Sequence, residues 1–300
     1  MAAQSQRLRL ETVDSVLVSA DLTSALWGGA AALSWGVGDF SGGLAARRVS
    51  SLAVTLITNP VGLLLLIGLA LISNAPVPQG RDALLGVLVG VSGAAGIFLF
   101  YEALKHGKMG IAAPVSAVIA NVISVAVSAA TEGAPGLNKW LGFALACVGV
   151  VLISRPEKID GVRAVPRALL PAALSGIAFG VFFSLSAQFS NDTDVGWSLV
   201  IVRLTSLMIF YAAAALRGEL RLEQSVFRLA AIAGICDSLG NLFFALAGQA
   251  GRLDITAVSS GMYPVATVIL AVLMLRERFT LSQGFGALLA FGAIFLIVAV

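Results

Sequence analysis

Ten long apolar runs, separated by short polar connections, constrain the fold of this chain more than any other feature of its sequence. A membrane-spanning helix needs about 20 mostly apolar residues, a length that the runs approach or reach. The runs are continuously apolar and do not alternate, which disfavours a transmembrane β-barrel. The pattern therefore predicts an all-α polytopic membrane protein with ten transmembrane helices. The runs are 24–46, 51–73, 83–104, 110–130, 137–154, 168–189, 197–216, 227–249, 254–275 and 281–299.

The composition excludes several other classes of protein. Only 12% of the residues are charged and 58% are hydrophobic, whereas a soluble domain carries about 25% charged residues. His106 is the only histidine, and Cys147 and Cys236 lie in separate apolar runs without a C-x-x-C motif. Multi-histidine metal sites and thiolate sites therefore have no support. We expect no metal, no cofactor and no catalytic residues, and the net charge of +3 requires no nucleic-acid partner.

The two halves of the chain resemble each other at an offset of about 144 residues. Asn59 aligns with Arg203, each in the second helix of its half, and Glu132 aligns with Glu277 after a drift of one residue. We therefore expect an internal duplication with a tail at 1–23, a first repeat at 24–154, a loop at 155–167 and a second repeat at 168–300. Three further alignments keep this register: Trp35-Gly36-Val37 with Phe179-Gly180-Val181, Gly86 and Gly90 with Ala230 and Gly234, and His106-Gly107-Lys108 with Ala250-Gly251-Arg252.

Five helices per repeat have a topological consequence. Because five is odd, a second copy joined by a short loop enters the membrane in the opposite orientation. Inverted repeats of this kind form transporters whose substrate site lies at the repeat interface near the bilayer midplane. We therefore predict two inverted five-helix repeats that exchange conformations, which favours transport over catalysis.

The basic residues of the loops favour one orientation. Lys and Arg collect in short loops on the cytoplasmic side of membrane proteins. The larger set follows the odd-numbered helices, which places those loops in the cytoplasm and both termini outside. The smaller set is Arg7, Arg9, Arg81, Lys139 and Arg252. The larger set is Arg47, Arg48, Lys105, Lys108, Arg155, Lys158, Arg163, Arg167, Arg217, Arg221, Arg228, Arg276 and Arg278.

The end of the second repeat carries a family resemblance. It reads Ala257-Val-Ser-Ser-Gly-Met-Tyr263-Pro264-Val-Ala-Thr, then Leu275-Arg-Glu277-Arg-Phe-Thr280, then Gln283-Gly284 and Gly292. The first repeat carries a degraded copy with Tyr101-Glu-Ala-Leu-Lys105, Pro114, Glu132 and Gly142, but has Ala120-Asn121 and Lys139-Trp140 where the motif residues stand. From about residue 24 the chain resembles the drug/metabolite transporter superfamily with two EamA-type repeats. The resemblance implies a secondary carrier for small metabolites, such as amino acids, nucleotide sugars or drugs.

Three ionisable residues, Asp39, Arg203 and Asp237, lie well inside apolar runs. A charge at the bilayer centre costs about 2.5–3.5 kcal/mol on insertion scales, so such residues face the protein interior and pair. We expect one aspartate to pair with Arg203, while the other takes up a proton or meets substrate. The alternative is a static ion pair with the second aspartate at the rim of a water-filled cavity.

Five neutral residues are candidate cavity residues. Asn59 occupies the repeat position of Arg203, and its amide can both donate and accept toward a solute. The alternative for Asn59, Asn121 and Asn241 is a helix–helix hydrogen bond, which contributes little in membranes. Tyr263 is a candidate gate or stacking residue, and Trp35 a candidate cavity wall.

Three prolines, Pro60, Pro114 and Pro264, lie in or near predicted helix interiors. Proline removes a backbone donor and frees the carbonyl of the preceding turn. The freed carbonyls can line a cavity and the kinks can act as hinges, although a fixed structural kink is the alternative.

Together these features predict a secondary transporter in the cell membrane that moves an amino acid-like or other small polar solute by alternating access, as an exporter or in exchange for protons. The sequence leaves open a passive channel, a flippase for lipid-linked substrates and, remotely, an intramembrane enzyme. The expected partners are the solute, membrane lipids and protons, and a homodimer is an open alternative.

Overall fold

The computed structural model describes residues 2–73, 75–132, 137–153, 157–159, 162–164, 167–186, 188–189, 194–250, 259–277 and 280–298. Side chains are described from Leu22 onward, with gaps in the fourth, fifth and last helices. The helices are α1 (Ala2–Ala46), α2 (Ser51–Ser73), α3 (Gly80–His106), α4 (Met109–Glu132), α5 (Leu137–Ile153), α6 (Leu169–Ser186), α7 (Val195–Arg217), α8 (Phe227–Ala250), α9 (Tyr263–Leu275) and α10 (Leu281–Val298).

The helices confirm the predicted all-α class, and most of them begin and end within a few residues of the apolar runs. Within the described ranges, five of them are long and apolar enough to cross a membrane by length and composition: α2, α3, α6, α7, and α8 with the 3-10 turn that precedes it. Shorter apolar segments lie at 109–124, 259–275 and 284–293.

Three details differ from the sequence prediction. Residues 2–23 of the predicted tail are helical and continuous with the first span, because α1 runs without a break from Ala2. The loop between the repeats contains an antiparallel hairpin of two three-residue strands, β1 (Glu157–Ile159) and β2 (Val162–Ala164). The run 254–275 is not one helix, because a turn at Met262 separates the helical residues 259–261 from α9.

The helix contacts show that the second repeat is inverted. Along α3, Gly93 lies beside Phe182 and Gly96 beside Phe179, so α3 runs antiparallel to α6. Successive helices joined by the short turns after α1, α2 and α3 alternate in direction, so α1 and α3 run the same way. The first helix of the second repeat is therefore opposite to the first helix of the first repeat.

Contacts of α1 give the same result. Its glycine Gly28 lies beside Ser260, and Gly36 beside Tyr263 and Thr267, so α1 runs parallel to α9, the fourth helix of the second repeat. In the first repeat the fourth helix opposes the first. The inverted arrangement that the odd helix number predicted is thus confirmed.

The helix pairs across the repeat interface repeat around a pseudo-two-fold axis. The pair α1 and α8 has its counterpart in α6 and α3, the pair α1 and α9 in α6 and α4, and the pair α2 and α8 in α7 and α3. The pairs α2 and α7, α4 and α9, and α5 and α10 each map onto themselves. Each of these pairs joins one helix of the first repeat to one helix of the second, and the pairs are related by the same pseudo-two-fold axis.

The outer surface is apolar, as lipid requires. Large exposed side chains on the outside of the bundle include Leu64 (71% exposed), Met208 (69%) and Leu273 (71%). An apolar surface this extensive on a soluble protein would mark an interaction site. Here it faces the hydrocarbon region, and the polar side chains of the spans are directed inward.

Candidate functional site

A cavity lies between the repeats near the middle of the bundle; we refer to it as the main cavity. Its non-atom space is about 750 Å³ including the open mouth. Seven of the predicted site residues line it: Trp35, Asp39, Asn59, Arg203, Asp237, Asn241 and Tyr263. Its other lining residues are Leu66, Gly93, Ile97, Phe179, Phe182, Phe183, Leu199, Val202 and Ser206.

Arg203 and Asp237 form an ion pair across α7 and α8. The Arg203 guanidinium donates to the Asp237 carboxylate and, at 2.9 Å, to the Ser238 hydroxyl. The side chains are 11% and 26% exposed, respectively. The sequence left open which aspartate pairs with Arg203, and in the structure it is Asp237.

Gly62 on α2 makes room for this pair. A Cβ built on Gly62 would lie 3.0 Å from the Gly234 carbonyl oxygen and 3.3 Å from Arg203 Nε, and would overlap the Ser238 hydroxyl. Without a side chain at 62, α2 approaches α7 and α8 closely enough to cover the guanidinium. A packing glycine thus keeps the charged pair away from lipid.

Asp39 on α1 is the second carboxylate of the main cavity. The residue is 9% exposed, and in the described part of the chain no hydrogen bond or ion pair reaches it. Gly38, its neighbour, lies against the backbone of α8 at Asp237. The close contact of α1 with α8 therefore holds both carboxylates at one level of the bundle, and Arg203 is the one guanidinium in the described lining of the cavity.

The three asparagines each bond within their own helix, which corrects the helix–helix alternative. The amide Nδ2 of Asn59 donates to Thr55 O at 3.1 Å, that of Asn241 to Asp237 O at 2.8 Å, and that of Asn121 to Ala117 O at 2.8 Å. The asparagine side chain is short enough to reach the backbone carbonyl one turn back in its own helix. Asn59 and Asn241 line the main cavity, whereas Asn121 does not.

An aromatic cluster centred on Trp35 forms one wall. Its ring centroid lies 6.0 Å from Phe183, 5.7 Å from Phe244 and 5.9 Å from Tyr263. A second cavity of about 460 Å³ lies on the other side of these rings, and Asn121 lines it. Trp35, Phe183 and Tyr263 line both cavities, and the role of Trp35 as a cavity wall remains a prediction.

The prolines occupy two different environments. Pro60 and Pro114 are inside helices α2 and α4. Pro264 was predicted mid-way along the ninth helix, but it stands at the start of α9, after the turn at Met262. Proline is tolerated at the first helical positions because its missing donor has no intrahelical partner there.

The carbonyl that Pro60 frees has a partner in the other repeat. Proline at 60 leaves the Leu56 oxygen, one turn back, without its helical donor. The Tyr211 hydroxyl on α7 donates to this oxygen at 3.1 Å. The freed carbonyl is thereby bonded to α7 and is not a free acceptor for the cavity.

One end of the bundle is sealed by an ion pair between the repeats; we call it the closed end. The Arg47 guanidinium, just after α1, donates to Glu277 Oε1 at 2.9 Å, to Gly107 O at 2.9 Å and to Leu104 O at 3.2 Å. In the sequence, Arg47 belongs to the set of loop basic residues, and Glu277 is marked by the motif at 275–280 and by its alignment with Glu132. Neither signal predicts that the two residues pair.

Glu277 also caps a helix at the closed end. Its carboxylate accepts the backbone N–H groups of Met109 at 3.1 Å and Gly110 at 3.2 Å, at the start of α4. Helix N-termini favour a negative charge because their first N–H groups have no intrahelical acceptor. With a side chain only 8% exposed, Glu277 holds the end of α9 to α1 and to the α3–α4 turn.

Beneath this ion pair the packing is dense. Tyr101, Leu104 and Met109 are at most 1% exposed. The ring of Tyr101 packs against Gly42, and Leu104 and Met109 pack against Gly43. The main cavity reaches instead toward the opposite face, where Leu199 lies near the start of α7 and Phe183 near the end of α6.

Two inverted five-helix repeats with a polar cavity between them define a class of membrane carrier. The model of the EamA-like transporter family matches the chain twice, at residues 22–155 and 166–299. The chain therefore belongs to the EamA-like transporter family, which confirms the resemblance and makes it a multi-pass membrane transporter of small solutes.

The other comparisons support the fold and say nothing about the substrate. A solved crystal structure, described only as that of a protein, is similar with a TM-score of 0.67 over 92% of this chain and 96% of its own. At 16% identity this likeness shows the fold alone. No curated protein sequence matches the chain.

Proposed function

We propose that this chain is a secondary transporter that moves a small polar or zwitterionic solute, such as an amino acid, across the cytoplasmic membrane by alternating access. The observation that supports this best is the main cavity at the repeat interface, which combines an ion pair, a further carboxylate and two amides. Buried groups of this kind are costly within a bilayer and mark solute and ion pathways. Inverted repeats carry their substrate site at such an interface.

The closed end indicates which state of the proposed transport cycle the structure represents. The loops after α1, α3 and α9 meet there, and they carry the basic residues Arg47, Lys108 and Arg276. The positive-inside rule assigns this side to the cytoplasm. The structure then corresponds to an outward-facing state, and opening the closed end requires that the bond between Arg47 and Glu277 break.

Export or exchange for protons is the direction we propose. A proton that enters the main cavity from outside neutralises Asp39, and solute bound from the cytoplasm is released in return. The titratable groups close enough to interact with Asp39 are Asp237, Tyr101 and Tyr263. Arg203 adds the single cation of the lining among the described residues.

Counterflow in proteoliposomes tests the transport proposal. Purified protein is first screened by thermal unfolding against amino acids, sugars, nucleosides and amines, and a stabilising solute is then loaded unlabelled inside liposomes. We expect labelled solute to accumulate with saturable kinetics, and the Arg203→Ala variant to lose this accumulation. A flux that grows without saturation and shows no trans-stimulation would identify a passive facilitator and refute the carrier.

Thiol labelling tests the role of the closed end. In a background with Cys147 and Cys236 replaced by serine, Ser206→Cys places a reporter in the main cavity. We expect an impermeant maleimide to label this cysteine only from the face opposite the closed end. In the Glu277→Ala variant we expect the maleimide to reach the cysteine from the closed end as well. Glu102→Gln, which removes a carboxylate paired with His106 outside the ion pair, is the matched control. Unchanged labelling in Glu277→Ala would contradict the assigned role.

A further inference from the structure

The charges of the main cavity do not balance. Its described lining holds two carboxylates, Asp39 and Asp237, and one guanidinium, Arg203. Arg203 is bonded to Asp237 and Ser238, which leaves the Asp39 carboxylate without a cation. A charge of this kind, 91% shielded from solvent, is costly in an apolar interior unless a positive group compensates it. The ionised form of Asp39 therefore lacks one positive charge, which a proton or a cationic solute would supply.

A second acceptor of the cavity also lacks a donor. Asn59 is 1% exposed, and its Oδ1 atom is buried without a hydrogen-bond partner. One N–H of its Nδ2 atom donates to the Thr55 carbonyl, and Oδ1 is the atom of the amide that still lacks a partner. A buried oxygen left in this state costs free energy that an N–H donor would recover.

Aromatic rings surround the same region. Trp35 precedes Asp39 by four residues, so the two side chains lie on one face of α1. Phe183 and Tyr263 pack around Trp35 and line the cavity with it. Ring faces attract organic cations, most strongly where water is excluded. The wall beside the unpaired carboxylate therefore suits both a positive group and the hydrocarbon attached to it.

From these three features we infer that the solute is recognised through a primary ammonium group, which donates N–H bonds to Asp39 and to Asn59 Oδ1 while its apolar body lies against Trp35, Phe183 and Tyr263. This inference rests on the proposed transport function and names the chemistry of its substrate. A quaternary ammonium carries the charge but no N–H, so it satisfies Asp39 only in part and leaves Asn59 Oδ1 unpaired. A carboxylate in the same place would meet two acceptors, the Asp39 carboxylate and Asn59 Oδ1.

Three probes of one shape test the inference: 2-phenylethylamine, its N,N,N-trimethyl analogue and 3-phenylpropanoate. Binding to the purified full-length protein is measured by thermal unfolding and by isothermal titration. We expect the primary amine to bind most tightly, the trimethyl analogue more weakly, and the carboxylate not at all. The isosteric Asp39→Asn variant should weaken amine binding at least about tenfold, because the ammonium loses the negative charge that strengthens its hydrogen bond. Glu102→Gln, outside the cavity, should leave it unchanged.

Asn59→Ala provides an independent measurement. It should reduce the preference for the primary amine over the trimethyl analogue, since the acceptor that distinguishes them is gone, and this readout does not depend on how well Asp39→Asn folds. Equal amine affinity in wild type and Asp39→Asn would overturn the inference, as would equal affinity of wild type for the two amines.

Liposome experiments separate this inference from the transport proposal. Saturable counterflow of another solute, with no binding of the amine, would overturn the ammonium site and leave the carrier intact. Asp39-dependent binding of the amine without any counterflow would support the ammonium site and contradict the carrier.

Discussion

The two repeats share their packing but not their chemistry. At an offset of 144 residues, Gly90 corresponds to Gly234, and each lies against a backbone carbonyl of the other repeat, Val202 O and Thr58 O, which are themselves equivalent. Trp35 likewise packs on Gly240, as its counterpart Phe179 packs on Gly96. The contacts that hold the repeats together are thus made twice.

The main cavity follows the opposite rule. Positions related by the same offset carry different chemistry, and each pair contributes its strongest polar group from one repeat only. The pairs are Asp39 with Phe183, Asn59 with Arg203, Gly93 with Asp237 and Ile97 with Asn241. A symmetric scaffold can rock about its axis, whereas a solute with distinct ends needs a site without symmetry. The difference between the two sets of positions separates the moving frame from the recognition site.

The largest expected effect comes from breaking the asymmetric pair at 59 and 203. Arg203→Ala leaves the Asp237 carboxylate buried without its cation, and we expect a loss of about 3 kcal/mol in the free energy of unfolding. Asn59→Ala at the equivalent position should cost about 0.6 kcal/mol, as membrane hydrogen bonds do on average. Unfolding in detergent micelles measures both.

A double variant controls for the role of the charge. Arg203→Met combined with Asp237→Leu replaces the pair by apolar side chains of similar size, and much of the lost stability should return. Equal losses from Arg203→Ala and Asn59→Ala would show that the repeats do not differ at this position.

The symmetric contacts should respond equally. A Cβ at Gly90 would lie 2.6 Å from the Val202 oxygen, and one at Gly234 would lie 2.9 Å from Thr58 Cα. We expect Gly90→Ala and Gly234→Ala each to destabilise the protein by about 1–3 kcal/mol through overpacking. Gly68→Ala, where nothing lies within 4 Å, is the control and should be neutral or stabilising. A large difference between the first two variants would count against an equivalent interface.

A contact without a counterpart should respond on one side only. The Tyr211 hydroxyl donates to the carbonyl freed by Pro60, whereas the equivalent positions hold Ile67 and Leu204. Tyr211→Phe should lower the free energy of unfolding by about 1 kcal/mol, because the Leu56 oxygen loses its donor. In a Pro60→Ala background the helix supplies that donor, and the same change should cost much less. An undiminished cost in that background would show that the hydroxyl acts elsewhere.

Hydropathy predicted the helices well because insertion into a bilayer depends mainly on apolar length. The bounds of α2 coincide with the apolar run 51–73. The turn at Met262 escaped prediction because apolar residues lie on both sides of it, although Pro264 carried a signal. The N-terminal segment was separated from the first span because its charges interrupt the apolar pattern, whereas the backbone continues as one helix.

The candidate site was predicted in its membership but not in its pairing. Asp39, Arg203 and Asp237 stood out because a charge within an apolar run is costly. Which aspartate pairs with Arg203 depends on how α7 packs against α8. The position of a charge along its apolar run does not contain that information. The bond between Arg47 and Glu277 joins residues 230 positions apart, and charges next to loops look alike whether they are solvated or paired.

The smallest expected effect tests the equivalence of the repeats most finely. The Thr267 hydroxyl lies 3.4 Å from the Gly36 oxygen, and the Ser124 hydroxyl lies 3.4 Å from the Gly180 oxygen. Gly36 and Gly180 are equivalent positions, and the donors Thr267 and Ser124 lie one residue away from equivalence, so the two contacts are near counterparts. At this length each should contribute at most about 0.6 kcal/mol, and Thr267→Val and Ser124→Ala should shift the unfolding midpoint by similar small amounts. A shift in only one variant would show that the repeats also differ outside the cavity, where the first helix of one repeat packs against the fourth helix of the other.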